Sequence, residues 1–481
     1  MRVRLLAAAV GLVAIAGSCS RGAVASQDAG FATFVDTVAT AELRALNAPS
    51  VTIAVARGAD IVVMQSYGIA DEEHDVPATT ETVYRIGSVS KQFAAATIMR
   101  LVEQQRISLD DDFTKYLPQF HAHGAHITIR QLLNHTSGVQ DFTSVPESLA
   151  GERLDRTDSE VLALFQDKPA NFAPGTNFDY NNSAFYLIAM VIEHVTGQSY
   201  AAYVRDSVLV PLGLHSTEAC SHTRIVPHRA RGYVLVNKQR ENEPFIDLKQ
   251  TKGGGDICST VSDLVAWTRA LAGGKVVNAA SYALMTTPGA LADGRTIAYG
   301  FGLFLSDLGG HPEIFHGGDI VGFNAFLAWY PADDVSVVVL GNAEALQLYN
   351  GNLARRLARR LLGVPAPAST GALIPAEDRS SCYSGTFRAG STTIQVSADS
   401  ERRIATSATV WQLAVVAADT IGATPAPVWG GAFYSKGNGV FASVINPAAE
   451  LHFTAVAGRN SHSTQLSLTL NGRAFGDFIR D

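Results

Sequence analysis

The stretch YRIGSVSKQF sets Ser88 three residues before Lys91, where an apolar run with helical spacing begins. Neighbours at i and i+3 on a helix bring their Cβ atoms to about 5–6 Å, so an amine at 91 reaches a hydroxyl at 88. A serine in the first turn also meets backbone N–H groups and the positive end of the helix dipole, which favour negative charge on Oγ. The pair suits an activated nucleophile. For Lys91 to take the serine proton it must spend time neutral, and burial or cationic neighbours must then pull its pKa from about 10.4 toward roughly 7–8. Alone the spacing is weak evidence. About one S-x-x-K match arises by chance in a chain of this length, and most lie on solvated helix faces.

Two further segments supply the remaining parts. In FAPGTNFDYNNSAFYLIAMVIEHVTG, Tyr180 and Asn182 stand between a Pro-Gly loop and a helix. A phenol there can pass a proton between Ser88 and a leaving group, and the amide can bond both a substrate amide and the lysine. The competing reading of the asparagine is a helix cap. In FHGGDIVGF, His316 and Asp319 flank two glycines. The histidine by itself fits half of a metal site, the base of a hydrolase or a polar residue in a tight turn. Gly317 and Gly318 let a backbone approach a ligand while leaving N–H groups available. With the N–H of Ser88 on one side and that of Asp319 on the other, an acyl oxygen would have two donors.

The elements that must position these parts read as a sheet plus a helical insertion. VTIAVARG at 51–58 and DIVVMQSYGIA at 60–70 form a hairpin, and FNAFLAWYP at 323–331 and VSVVVLGN at 335–342 form a second, turning at Ala332-Asp333-Asp334. Strands at both ends of a long span imply one sheet closed by distant segments. Between them SKQFAAATIMRLVEQQ, TIRQLLNHT, SAFYLIAMVIEHVTG and TVSDLVAWTRALAGG carry helical periodicity. NLARRLARRLLG continues as an amphipathic helix, VPAPASTGALIPA reads as a linker, and short β-type runs then predict a small barrel or sandwich.

In their order the three motifs, S-x-x-K, Y-x-N and H-x-G, resemble the penicillin-recognising serine hydrolases: class C β-lactamases, DD-peptidases, D-aminopeptidases and β-lactamase-fold esterases. ITIRQLLNHTSGV, VTGQSYAAYVRDSVLVPLGLHST and GGGDICSTVSDLVAW resemble the segments around those motifs, so the likeness covers roughly residues 32–362. It implies an α/β sandwich beside a helical domain, with the site in the cleft between them. It also implies that Ser88 is acylated, Lys91 is the base and Tyr180 relays the proton. Asn182, His316, Gly318 and Asp319 would contact substrate, the oxyanion taking the Ser88 and Asp319 N–H groups. The departure is His316-Gly317-Gly318, where penicillin-cleaving relatives carry Lys-Thr-Gly or Lys-Ser-Gly. A neutral imidazole holds a carboxylate less well than an ammonium, so efficient β-lactam hydrolysis is not expected. The tail from CYSGTF resembles the barrel-like, in some members lipocalin-like, accessory domain of part of this family. The organisation expected is therefore a leader over 1–25, a hydrolase domain over 32–362, a linker over 363–376 and a β-rich domain over 377–481.

Other features exclude classes of function. A net charge of -7 with no basic run leaves no footprint for nucleic acid. MRVRLLAAAVGLVAIAG followed by Ala23-Val24-Ala25 reads as a secretory signal, placing the mature chain outside the cytoplasm or in the periplasm; acylation at Cys19 is the alternative. No later segment is apolar enough to span a bilayer. Of Cys220, Cys258 and Cys382, the first two are the preferred disulfide pair. His121, His123 and His126 lack a carboxylate or cysteine at a familiar spacing, so neither metal nor cofactor is expected. His135 is read as fixing a turn. The function expected is a secreted hydrolase working through an acyl-Ser88 intermediate on an amide or ester, including peptides with D-residues. A carboxylesterase and an acylated sensor without turnover are the alternatives. The oligomeric state stays open.

Overall fold

The structure, a computed structural model, describes residues 18–365 except 146, 149–150, 152, 237–238 and 344–346, and beyond them strand segments between 385 and 480. Residues 1–17 of the leader expected over 1–25, the linker beyond 365 and Cys382 lie outside the described residues, while residues 18–25 fall in the first helix.

Seven strands make the main sheet: β1 (Ser50–Arg57), β2 (Asp60–Asp71), β3 (Val76–Pro77), β4 (Phe304–Asp307), β5 (Pro312–Ile320), β6 (Phe323–Tyr330) and β7 (Val335–Gly341). Their order is β4-β5-β6-β7-β1-β2-β3, so the two hairpins read from the sequence meet where β1 lies against β7. Ile53 of β1 stands opposite Val339 on one side and Gln65 on the other. Both central strands are apolar on both faces, as strands covered on two sides must be. Successive residues point to opposite faces, and the cores divide accordingly. Val51, Ile53 and Val55 join Val337 and Val339 in one core, with Phe31, Val35 and Val38 of helix α1 (Ser18–Leu46) and Leu353 and Leu357 of the last helix (Gln347–Leu362). Ala54, Ala56, Val338 and Leu340 belong to the other, which continues into the helical insertion.

That insertion is built around α2 (Lys91–Glu103), α3 (Ile129–Leu133), α4 (Asn182–Thr196) and α5 (Val261–Ala272). The sequence pattern of α2 predicts an amphipathic helix. In the fold it is buried over most of its circumference, from Lys91 to Met99 without interruption. Its polar residues carry their own partners: Gln92 Oε1 accepts a 2.6 Å bond from Trp267 Nε1 of α5, and Phe93 stacks on the same indole at 3.9 Å. Helix α4 starts at Asn181, whose side chain accepts from the Ala184 N–H at 2.8 Å, and stops at Gly197 in the left-handed region (φ 71°).

A short sheet lies beside the insertion, in which Ile257–Ser259 pairs with Tyr84–Arg85 and with Glu218–Ala219. A disulfide joins Cys220 to Cys258, their Cα atoms 5.2 Å apart, so the preferred pairing holds. It closes a loop with 38 residues of separation, for which chain entropy alone gives on the order of 4 kcal/mol. Beyond residue 384 the described strands pair in sequence into a closed antiparallel barrel, the last strand returning to the first. No helix among the described residues is long and apolar enough to cross a membrane.

Candidate active site

Ser88 lies in a 3-10 turn, Gly87–Ser90, and α2 begins only at Lys91. The expectation of a serine inside the first α-helical turn is corrected by this tighter winding. Gly87 enters the turn at φ 48°, a left-handed conformation that interrupts the strand before it and delays the α-helix. The i, i+3 relation survives, because side chains three apart nearly eclipse on a 3-10 turn. The neighbouring strand fixes the turn at both ends: Ile86 N–H donates to the Ile257 carbonyl at 3.0 Å, and Ile257 N–H donates to Ser90 Oγ at 3.1 Å.

Lys91 is fully buried and its Nζ makes three contacts: Ser88 Oγ at 3.1 Å, Asn182 Oδ1 at 2.8 Å and the Gly254 carbonyl at 3.0 Å. Burial pulls its pKa down to about 7, against the opposing charges of Asp141 and Asp256. The neutral amine has two hydrogens and one lone pair. Asn182 Oδ1 and the Gly254 oxygen can only accept, so they take the hydrogens and leave the lone pair directed at Ser88. The orientation of the Asn182 amide is itself determined, since its Nδ2 faces Asp141 Oδ2 at 3.3 Å and Thr143 Oγ1 at 3.2 Å. Asn181 and Asn182 thus divide the two readings of this motif: Asn181 caps the helix and Asn182 serves the lysine.

Tyr180 forms a second wall, its ring 4.7 Å below Lys91 Nζ and stacked on Phe304 at 6.0 Å. The hydroxyl is buried and has no hydrogen-bond partner among the described residues. Burial pushes its pKa far up, the nearby Ser88 hydroxyl acting in the opposite sense. Such a phenol keeps its proton at neutral pH, so of the two groups beside Ser88 only Lys91 is poised as a base.

The third wall is β5. Its pairing with β4 ends at Phe304 opposite Phe315, while its pairing with β6 runs on to Ile320. Along the freed edge the strand backbone lies against the serine turn. A Cβ on Gly318 would stand 1.9 Å from the Ile86 oxygen and 3.1 Å from Ser88 N, and one on Gly87 would stand 2.8 Å from Asp319 N. Only glycine fits either position, and the approach sets Ser88 N and Asp319 N on neighbouring backbones. Asn324, buried on β6, donates to the Gly318 carbonyl at 3.1 Å and so holds the peptide whose nitrogen belongs to Asp319.

His316 is buried beneath this edge. Its Nδ1 contacts the Gly317 carbonyl at 2.5 Å, so that nitrogen carries the proton, and Nε2 accepts from the Tyr299 hydroxyl at 3.1 Å. Burial and the Lys91 charge lower its pKa to about 3, which leaves the imidazole neutral at every ordinary pH. At the surface, His121 pairs with Asp167 and His126 with Asp112.

The structure therefore brings Ser88, Lys91, Tyr180, Asn182, Gly318 and Asp319 around one point, with His316 packed behind it. Sequence reasoning missed Asp141, Gly254, Tyr299 and Asn324. Asp141 had one local signal, as a side-chain cap accepting the Thr143 N–H at 2.9 Å, but its tie to Asn182 spans 41 positions.

Comparison with known proteins agrees with this geometry. The sequence profile of the Beta-lactamase family matches residues 35–360. Penicillin-binding protein 4* of Bacillus subtilis (strain 168) is 28% identical over 340 residues, covering 65% of this chain and 72% of that protein. A D-aminopeptidase of Brucella canis is 29% identical over 320 residues, covering 66% of this chain and 60% of that protein. The match thus spans less than two thirds of the D-aminopeptidase's length. Among solved structures, a D-stereospecific amidohydrolase from Streptomyces sp. aligns with a TM-score of 0.58 at 26% identity, covering 68% of this chain and 99% of that one. With its profile matched across most of the sequence and the fold shared, this chain belongs to the Beta-lactamase family, as a hydrolase of the serine β-lactamase fold.

Proposed function

We propose that the chain is an acyl-enzyme hydrolase of amides and esters, with Ser88 as nucleophile and Lys91 as its base. The single observation that carries this is Lys91 Nζ, buried, 3.1 Å from Ser88 Oγ and held there by two groups that can only accept. Ser88 Oγ attacks the substrate carbonyl carbon as its proton passes to Lys91. The carbonyl oxygen becomes an oxyanion facing the Ser88 and Asp319 N–H groups, which are fixed before the reaction begins. Tyr180, a neutral phenol, gives its proton to the leaving nitrogen or oxygen and regains one from Lys91. The acyl-serine then forms, and water reverses the path with the same groups exchanging roles.

The substrate class follows from His316. A neutral buried imidazole gives a substrate carboxylate no charge to pair with, so this wall favours amides and esters over penicillins. The D-aminopeptidase and D-stereospecific amidohydrolase relatives support an amino-acid amide or peptide with a D-residue at the acylating position. Export through the N-terminal segment, the boundaries 32–362, 363–376 and 377–481, and the accessory role of the last segment belong to the same proposal.

A fluorophosphonate probe followed by peptide mass mapping tests the nucleophile, with the label expected on Ser88; a label on another residue overturns the assignment. D-alanine p-nitroanilide, p-nitrophenyl butyrate and nitrocefin then rank amide, ester and lactam, with nitrocefin expected last.

A further inference from the structure

Tyr180 is bracketed by a single residue from another loop. His135, just after α3, accepts the Asp179 N–H at its carbonyl oxygen (3.0 Å) and the Asn181 N–H at its Nδ1 (3.1 Å). Asp179 and Asn181 are the two neighbours of Tyr180 in the chain, so the residue before the tyrosine and the peptide after it are both tied to His135, one through its carbonyl and one through its ring. To present both acceptors His135 adopts φ 60°, a left-handed conformation uncommon outside glycine, though histidine, asparagine and aspartate enter it more readily than other residues. The ring is buried, with centroids 4.5 Å from Tyr180, 4.7 Å from Tyr299 and 5.2 Å from Phe185. A backbone N–H can only donate, so Nδ1 is the unprotonated nitrogen and Nε2 carries the hydrogen. Nε2 is buried without a hydrogen-bond partner among the described residues. A polar ring kept here with half of its capacity unused is not retained for packing alone, since an apolar ring would avoid that cost.

We propose that His135 is a positioning residue, whose carbonyl and Nδ1 latch the flanks of Tyr180 and aim its hydroxyl at Ser88. The inference rests on the reading of Tyr180 as the proton carrier. Burial, with the charge that Lys91 carries when protonated, holds the imidazole well below its ordinary pKa, so the Nδ1 acceptor persists across the range in which Lys91 titrates.

The test assays the full chain on p-nitrophenyl acetate as wild type, His135→Asn, His135→Leu, Tyr180→Phe and the Leu/Phe double variant, with Tm and circular dichroism for each. Leucine fills space, but its side chain accepts nothing and only the backbone carbonyl of the latch remains. The substitution should lower kcat roughly 10–100-fold while KM moves far less, as a misplaced catalytic group does. Asparagine sets Oδ1 near the position of Nδ1 and tolerates positive φ. It should recover most of kcat although lost ring packing lowers its Tm. In the Tyr180→Phe background, leucine at 135 should cost nothing further. Wild-type kcat in His135→Leu, equal losses in the Asn and Leu variants, or fully additive losses in the double variant would each overturn the latch. Unchanged kcat in Tyr180→Phe removes the proton-carrier reading and the latch together, whereas a damaged Tyr180→Phe beside an unharmed His135→Leu removes the latch alone. Should His135→Leu fail to fold, His135→Gly deletes the side-chain acceptor without strain at this φ and is judged by the same outcomes.

Discussion

Lys91 and Asp141 share Asn182: its Oδ1 accepts from the lysine at 2.8 Å, while its Nδ2 faces the Asp141 carboxylate at 3.3 Å. The amide thus passes the position of a carboxylate to the base without the two ions touching. Asp141 also favours the charged form of Lys91 from a distance.

That relationship gives a pH prediction. Catalysis needs the neutral amine, so kcat/KM should rise as pH passes the lysine pKa of about 7. A carboxylate stabilises the ammonium and raises that pKa; removing it lowers the pKa. In Asp141→Asn the acid limb of the kcat/KM profile should therefore move to lower pH, a shift read directly from initial rates between pH 5 and 9 in a common buffer set. A limb that stays in place or moves upward would refute the coupling.

Stability should carry the same signature. Lys91 is depressed from 10.5 to about 7 in the fold, so between those values the unfolded chain binds the extra proton and stability rises with pH. The difference in unfolding free energy between wild type and Lys91→Met should grow in favour of wild type by on the order of 4 kcal/mol from pH 7 to 10.5. Denaturant melts of both proteins at several pH values measure it, and the constant offset from lost hydrogen bonds drops out of the trend.

Gly318→Ala tests the third wall. A Cβ 1.9 Å from the Ile86 oxygen must drive β5 and the serine turn apart. The two N–H donors then separate, for which a loss of roughly 10²–10³ in kcat is expected. Thermal melting shows whether the fold survives, and fluorophosphonate labelling should slow in parallel with turnover.

His316→Lys tests the substrate preference. An ammonium at this position gives the wall the charge it lacks, so the nitrocefin rate should rise relative to that on p-nitrophenyl butyrate. An unchanged ratio would mean that the residue at 316 does not select substrate.

The three motifs were legible because each is local: Ser88 with Lys91, Tyr180 with Asn182, and His316 with Gly318 have spacings that one turn or one strand fixes. Both sheet hairpins were legible for the same reason. What the sequence hid is tertiary. Asp141, Gly254 and Asn324 earn their places through partners on other elements, and no periodicity marks a carbonyl such as that of Gly254. The amphipathic pattern of α2 did not show that its polar residues are buried as well, Lys91 and Gln92 having their partners on other elements.

The order of the strands bears on how the molecule comes into being. Strand β1 is bonded along its length to β7, and Ser50 Oγ donates to Asn342 Oδ1 across 292 positions. Strand β1 thus waits for a partner synthesised much later in the chain, at Val335–Gly341, and β5 arrives only shortly before it. A nascent chain on the ribosome therefore holds Ser88 and Lys91 for most of its synthesis without the wall that completes their site. Loop closure of this length makes folding late and slow. The site cannot act on anything until the chain has been made through Gly341, the end of β7.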